Sequence, residues 1–266
     1  MRSPTAAQSG TLFHVTVAAV GVRLVIDRPI GTIETNVLET SAILEFAARQ
    51  GVPTLLASTS EVYGKSSQIP FAEEDDVVYG PPRQARWAYA CSKAIDEFLA
   101  LAYHQQRGLP VVVTRFFNVV GPRQLGEYGM VLPRLIEQVN AGKSMEVHGD
   151  GLQTRCFCDV RDVVAVLPTL LDAHAGDAPV VNIGDDRSIT ILDLAKLVRE
   201  TLRSEAEIVM VPYEEAFGPG FDDMRHRQPN LRRIREMTGF TPTIELEQTI
   251  RDVAAEIAAA RQGQPT

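Results

Sequence analysis

Tyr89 and Lys93 stand four residues apart in YACSK (89–93), and residues at that spacing project from the same face of a helix. A lysine ammonium beside a phenol favours the phenolate, which lowers a pKa that starts near 10 toward the range of a general base. Any amphipathic helix produces such pairs, so the spacing alone is weak. It gains weight from the segment STSEVYG (58–64). This follows an apolar run about 30 residues upstream, the separation expected within one βαβ unit. Thr59 would then present a hydroxyl at the C-terminal edge of a parallel sheet, where α/β proteins bind ligands.

Other chemistry-bearing residues carry competing readings. Glu61 either takes part in proton transfer or caps a turn. Cys156 and Cys158 lack neighbours at zinc-site spacing and read instead as alternation along a buried strand, so no metal site is expected. His148 and His226 read as packing or surface histidines. Asp159 and Asp162 flank a helix start, where carboxylates favour the positive end of the dipole. Arg123 and Arg227 either pair with surface acids or meet a bound anion. The run Arg225–Arg235 fits a solvated helix face or a diphosphate cradle.

The elements that must position these groups alternate strand and helix over the first two thirds of the chain. An apolar run at 11–19 precedes a helical stretch from Ile33 to Arg49, and Gly51 ends that helix. Val52–Ser58 reads as a buried strand, Ala88–Arg107 as a helix closed by Gly108, and 110–117 (PVVVTRFF) as a second buried strand. Near-continuous apolar strands between helices indicate a parallel sheet covered on both faces. Beyond Asn118 the pattern predicts helices at Leu132–Ala141, Val160–Ala173, Ile191–Ser204 and from Leu246. Extended segments are expected at Met145–His148 and Val180–Ile183, with a loop over Pro212–Gly220. This second part reads as an α+β lobe.

Composition narrows the function. The 266 residues hold 26 Lys and Arg against 34 Asp and Glu, a net charge of −8. Nucleic acid and acidic membrane surfaces are therefore poor partners. No apolar run approaches the ~18 residues of a membrane span, and the N-terminal segment lacks the regions of a signal peptide. Three cysteines, none in the first 90 residues, argue against a disulfide framework and for a reducing, cytoplasmic setting.

Four ordered stretches, STSEVYG (58–64), RWAYACSKAIDE (86–97), RFFNVVGPR (115–123) and GDGLQTRCFCDVRDVV (149–164), together resemble the extended short-chain dehydrogenase/reductase family. Its members are NAD-dependent nucleotide-sugar epimerases, dehydratases and decarboxylases. The resemblance runs from about Thr16 to the C-terminal helix. It implies a Rossmann-like, doubly wound parallel α/β sheet over 11–130, lacking its first βαβ units, and a smaller C-terminal α+β, mainly substrate-binding lobe over 131–262, with some segments returning to the Rossmann domain. Family members begin with a GxxGxxG turn that holds the NAD pyrophosphate. No such turn precedes Asn36, so about 60 residues of the family pattern are expected to be missing.

By resemblance, Tyr89 is the base for the sugar 4-hydroxyl while NAD takes the C4 hydride. Lys93 assists it and holds the nicotinamide ribose, and Thr59 supplies the helping hydroxyl. Ala18, Asn36, Ser58 and Phe116 join Tyr89 and Lys93 in contacting the cofactor. Asn118, Arg123, Arg155 and Arg227 contact the substrate, the arginines suiting phosphate through paired donors. Family dehydratases carry Asp-Glu after the Thr, where this chain has Ser60 and Glu61. The Thr-Ser-Glu triplet with HRQP (226–229) is similar to UDP-glucuronate decarboxylases, in which the equivalent of Arg227 handles a carboxylate. A UDP-glucose or UDP-glucuronate 4-epimerase is the alternative. A non-catalytic remnant that binds a nucleotide sugar or a partner is a third reading. The resemblance also implies a homodimer formed through the helices at Ile33–Arg49 and Ala88–Arg107.

Overall fold

The computed structural model describes residues 25, 27–124, 130–218 and 223–262. The expected strand at 11–19 and the proposed contact Ala18 lie outside these residues. Helix α1 (Pro29–Glu34) opens with proline, whose fixed φ and missing N–H suit a first helical turn. It runs through a π-helical turn at Thr35–Glu39, which buries Asn36, into α2 (Thr40–Gln50). Gly51 then takes φ +65° and closes the helix.

Strand β1 (Thr54–Thr59) leads into a 3-10 turn at Ser60–Tyr63, and α3 (Arg86–Arg107) into β2 (Val111–Phe116). The short β3 (Val119–Val120) is followed by α4 (Val131–Asn140) and β4 (Met145–His148). Then come β5 (Thr154–Cys156), β6 (Cys158–Asp159) and α5 (Val160–His174). After these lie β7 (Val180–Ile183), β8 (Ser188–Thr190), α6 (Ile191–Thr201) and β9 (Ile208–Val211). The chain continues through α7 (Tyr213–Phe217), β10 (His226–Arg227), α8 (Arg232–Thr238) and α9 (Leu246–Gln262).

Among the described residues β1, β2 and β7 form a parallel sheet, with Thr59 opposite Phe116 and Phe116 opposite Ile183. Side chains alternate across this sheet. Leu55, Val112, Val181 and Ile183 pack with Leu170 and Leu171 of α5 and Ile234 of α8. Leu56, Val111 and Val113 face the other way, onto Leu44 of α2 and Ala100 of α3. Both faces are therefore buried, as the unbroken apolar strands require. A further core joins α4, β4, α6 and α9 through Leu135, Met145, Leu194 and Ile250. Strand β5 pairs in parallel with β10 and antiparallel with β8, and so carries the segment containing Arg155 alongside Arg227.

Several expectations change. Residues 213–217 of the expected loop form a helical turn that starts after Pro212. The arginine run 225–235 is not one helix face, because it divides between β10 and α8. Cys156 and Cys158 are buried as expected, but on two different strands. The described residues contain no His, Cys, Asp and Glu group able to hold a metal ion. They also contain no helix long and apolar enough to cross a membrane.

Candidate functional site

Thr59 ends β1 in extended conformation, and its side chain accepts a hydrogen bond of 3.2 Å from the Glu61 amide. That N-cap turns the chain sharply at the C-terminal edge of the sheet. It leaves the Thr59 proton available for donation. Ser60 and Glu61 follow within the turn, both shielded from solvent, Ser60 completely.

Helix α3 faces them with a polar stripe. Arg86, Tyr89, Lys93, Asp96 and Glu97 recur at helical spacing and all are buried. Buried charges must be paired, and here they are. The Lys93 ammonium, 1% exposed, donates to Asp96 Oδ2 at 2.8 Å. Asn36, from the π-helical turn, donates to Ser92 Oγ at 2.9 Å. The Thr59 hydroxyl lies close enough to the Tyr89 phenol to favour its ionised form.

Around Glu61 the charges form a chain. Its Oε2 pairs with Arg86 and its Oε1 lies 3.2 Å from Nη1 of Arg227. Arg227 also donates to Ser60 Oγ at 2.5 Å. Arg86 continues to Asp223 at 3.3 Å, and Asp223 accepts from Arg155 at 2.9 Å. The order is Arg227, Glu61, Arg86, Asp223, Arg155, so three guanidiniums alternate with two carboxylates. The Nε atoms of Arg86 and Arg227 are buried without a hydrogen-bond partner. A buried, unpaired donor on a cation is costly, and an anion entering beside Arg227 would relieve the cost.

Titration behaviour follows. Burial pushes the Glu61 carboxyl up, but Arg86 and Arg227 outweigh it and hold the group at about 2. Burial pushes Arg227 down to about 10, with Glu61 opposing and Arg155 and Arg86 reinforcing the fall. Burial also raises the Tyr89 phenol well above its usual value; Glu61 adds to that, while the Thr59 hydrogen bond and Arg227 pull the other way.

The Lys93 ammonium is engaged by Asp96, and burial and Glu61 are the influences that raise the Tyr89 phenol. Thr59 is the cap of the turn, and the Glu61 carboxylate is held between Arg86 and Arg227.

The other candidate residues divide. Ser58 donates to the Glu97 carboxylate, and Phe116 is half-buried against the core that includes Leu55 and Ile183. Asn118 sits at φ +36° and donates to the Cys156 carbonyl at 2.8 Å, joining the end of β2 to β5. Arg123 is exposed, and its backbone amide meets Glu256 at 2.5 Å, away from the chain of arginines. Asp159 is the N-cap of α5, accepting from the Arg161 amide at 2.9 Å, and its side chain also accepts from Thr249 at 2.6 Å. His148 packs edge-on against Phe217. His226 meets Thr154 at 2.9 Å.

Arg86 and Asp223 were not singled out from sequence. Arg86 had a local signal, three positions before Tyr89 on the same helix face. Asp223 had none, since its partner Arg86 is 137 positions away. The residues that would hold the nicotinamide end of NAD, namely Asn36, Tyr89 and Lys93, lie on packed helices α1–α3 and the turn between α1 and α2. Their donor set of amide, phenol and ammonium fits ribose hydroxyls.

A family model described as "NAD dependent epimerase/dehydratase family" matches residues 3–184. The UDP-N-acetyl-alpha-D-glucosaminuronate decarboxylase of Bacillus cytotoxicus is 37% identical over 246 residues, covering 92% of this chain and 75% of that protein. UDP-glucuronic acid decarboxylase 6 of Arabidopsis thaliana is 35% identical over 222 residues; the match covers 83% of this chain and 62% of that one. Among solved structures, the UDP-glucose 4-epimerase of Thermotoga maritima, with UDP-glucose, superposes with a TM-score of 0.81 at 25% identity. That match covers 94% of this chain and 77% of the other.

Proposed function

Because this chain belongs to the NAD-dependent epimerase/dehydratase family, we propose that it acts on a UDP-linked sugar acid, oxidising C4 and releasing the C6 carboxylate as carbon dioxide. NAD, when bound, supplies the acceptor for the C4 hydride and returns it at the end. Tyr89 takes the proton from the sugar 4-hydroxyl. Thr59 donates a hydrogen bond to the same oxygen, and Lys93, with three N–H donors of which Asp96 takes one, steadies the phenolate.

The ketone at C4 makes the sugar a β-keto acid. When the C5–C6 bond breaks, its electron pair moves onto the C4 oxygen, carbon dioxide leaves, and C5 is then protonated. Arg227 orients the carboxylate before the break, and Glu61 shapes the field around it as an anion. Arg155 and Asn118 take the diphosphate, as the paired donors of a guanidinium allow.

The observation that carries this reading is Arg227: a guanidinium 8% exposed, beside the base, with a buried N–H lacking an acceptor. A carboxylate would pair with that donor by charge as well as by hydrogen bond, whereas a neutral hexose hydroxyl offers the hydrogen bond alone. Incubation of the protein with UDP-glucuronate and with UDP-N-acetylglucosaminuronate, followed by product mass, tests it. Loss of the mass of carbon dioxide supports the reading. Unchanged mass with inverted C4 indicates the epimerase, and binding of UDP without NAD indicates the remnant. Tyr89→Phe is expected to lower kcat by about 10³-fold or more while UDP still binds.

The same proposal includes a homodimer, a cytoplasmic setting and a division into a cofactor part (11–130) and a mainly substrate-binding part (131–262), some segments of which return to the first, as the pairing of β7 with β2 supports. Exposed Ile30, Leu38 and Phe46 on α1–α2 and the turn between them, with Ile95 and Phe98 on α3, support an apolar face for a second copy. Three free thiols support a reducing compartment.

A further inference from the structure

We infer that Arg86 is a positioning residue, anchoring Glu61 on one side so that Arg227, on the other, is free to exchange Glu61 for the carboxylate of a substrate. This rests on the decarboxylase reading for the identity of the incoming group, though not for the anchoring itself.

The asymmetry of the two arginines argues for it. Arg86 is 5% exposed and lies between two carboxylates, Glu61 and Asp223, in direct contact with both. Its guanidinium also lies 5.6 Å from the centre of the Trp87 ring, which further fixes its plane. Arg227 has one carboxylate partner, at 3.2 Å, and a hydroxyl. An arginine locked at both ends cannot turn toward a ligand without stranding a buried charge. One held by a single ion pair can. When Arg227 turns, Glu61 keeps a counter-charge only through Arg86.

The groups facing Glu61 come from four elements. Arg86 and Tyr89 project from α3, Arg227 from β10, Arg155 from β5, and Ser60 and Thr59 from the end of β1 and its turn. No other cation is recorded against Glu61 among the described residues. Without Arg86, burial becomes the dominant influence whenever Arg227 is engaged by substrate, and Glu61 takes up a proton.

The test uses protein labelled with 13C at the glutamate carboxyl, the Glu61 resonance being assigned by its loss in Glu61→Gln. In the unaltered chain the resonance is expected to stay ionised down to about pH 2 or to acid unfolding. In Arg86→Gln its midpoint is expected to rise by about two units or more. Arg86→Lys keeps a charge but cannot span two carboxylates, and its midpoint is expected between the two. In turnover, the acid limb of kcat should move up in the same order, with kcat down by about 10²-fold for Arg86→Gln and KM changed by less than about threefold.

A Glu61 midpoint unmoved in both variants overturns the proposal. So does equal loss of activity in both with an unshifted pH profile, which marks a role in folding only. If Arg86→Gln does not fold, Arg86→Lys alone decides by the same two readouts. Absence of decarboxylation by the unaltered protein would defeat the decarboxylase reading and leave the resonance titration standing.

Discussion

Besides the Lys93–Asp96 pair, helix α3 carries two buried ionic clusters, and they are built differently. In the first, Arg115 of β2 meets Glu97 with bonds of 3.0, 3.2 and 2.7 Å, donates to the Glu73 carbonyl at 3.2 Å, and lies 4.8 Å from the centre of the Tyr63 ring. Ser58 donates to the same Glu97 carboxylate, and no side-chain polar atom of this group is left without a partner. In the second, around Glu61, two guanidinium Nε atoms are unpaired and the arginines outnumber the carboxylates. The satisfied cluster contributes rigidity. The unsatisfied one holds interaction free energy in reserve for an anion. Charge burial on one helix is therefore fully paired around Glu97 and incompletely paired around Arg86, and the proposed function gives the second cluster to binding.

Breaking each cluster from the cation side separates these roles most strongly. Arg115→Leu strands the Glu97 carboxylate in the interior and is expected to cost about 3–5 kcal/mol of stability by urea unfolding. Arg227→Met leaves Glu61 paired with Arg86, removes an unsatisfied donor, and is expected to cost under about 2 kcal/mol while eliminating turnover. Equal destabilisation by the two would erase the distinction.

A smaller effect comes from pH. The folded-state pKa of Glu61 lies at about 2, below its ordinary 4.5, so the unfolded chain binds this proton more readily than the folded one. The resulting stability is complete above about pH 5 and is lost as pH falls from there toward 2. Unfolding free energies measured across that window should decline less steeply in Glu61→Gln. The smallest change is Thr59→Ala, which removes the cap on the 3-10 turn and is expected to cost about 1 kcal/mol by thermal melting, with a far larger loss in kcat.

The sequence announced the frame better than the site. Met145–His148, Val180–Ile183 and the start of α9 at Leu246 appear where their apolar pattern puts them. Buried strands and amphipathic helices write their burial into their own residues. Strands β8, β9 and β10 were not legible, because each is defined by the partner it pairs with: β9 lies along β4 yet leaves Val209 and Met210 exposed. The helical turn Tyr213–Phe217 was hidden between Pro212 and Gly218. Tyr89, Lys93 and Thr59 were legible through spacing and strand ends, the first two lying on α3 and Thr59 closing β1. The ionisation state of Glu61 and the commitment of Lys93 to Asp96 were not, since a charge's surroundings depend on chain segments far from it in sequence.

That distance bears on the order of assembly. Glu97 and Arg115 are separated by 18 positions, whereas Glu61 and Arg227 are 166 apart and Arg86 and Asp223 are 137 apart. During synthesis from the N-terminus, the local pair can close early, while Glu61 must wait for β10 and Asp223. The polar heart of the molecule is thus closed by contacts of long sequence separation, and the cluster is complete only when segments from Ser60 to Arg227 have come together.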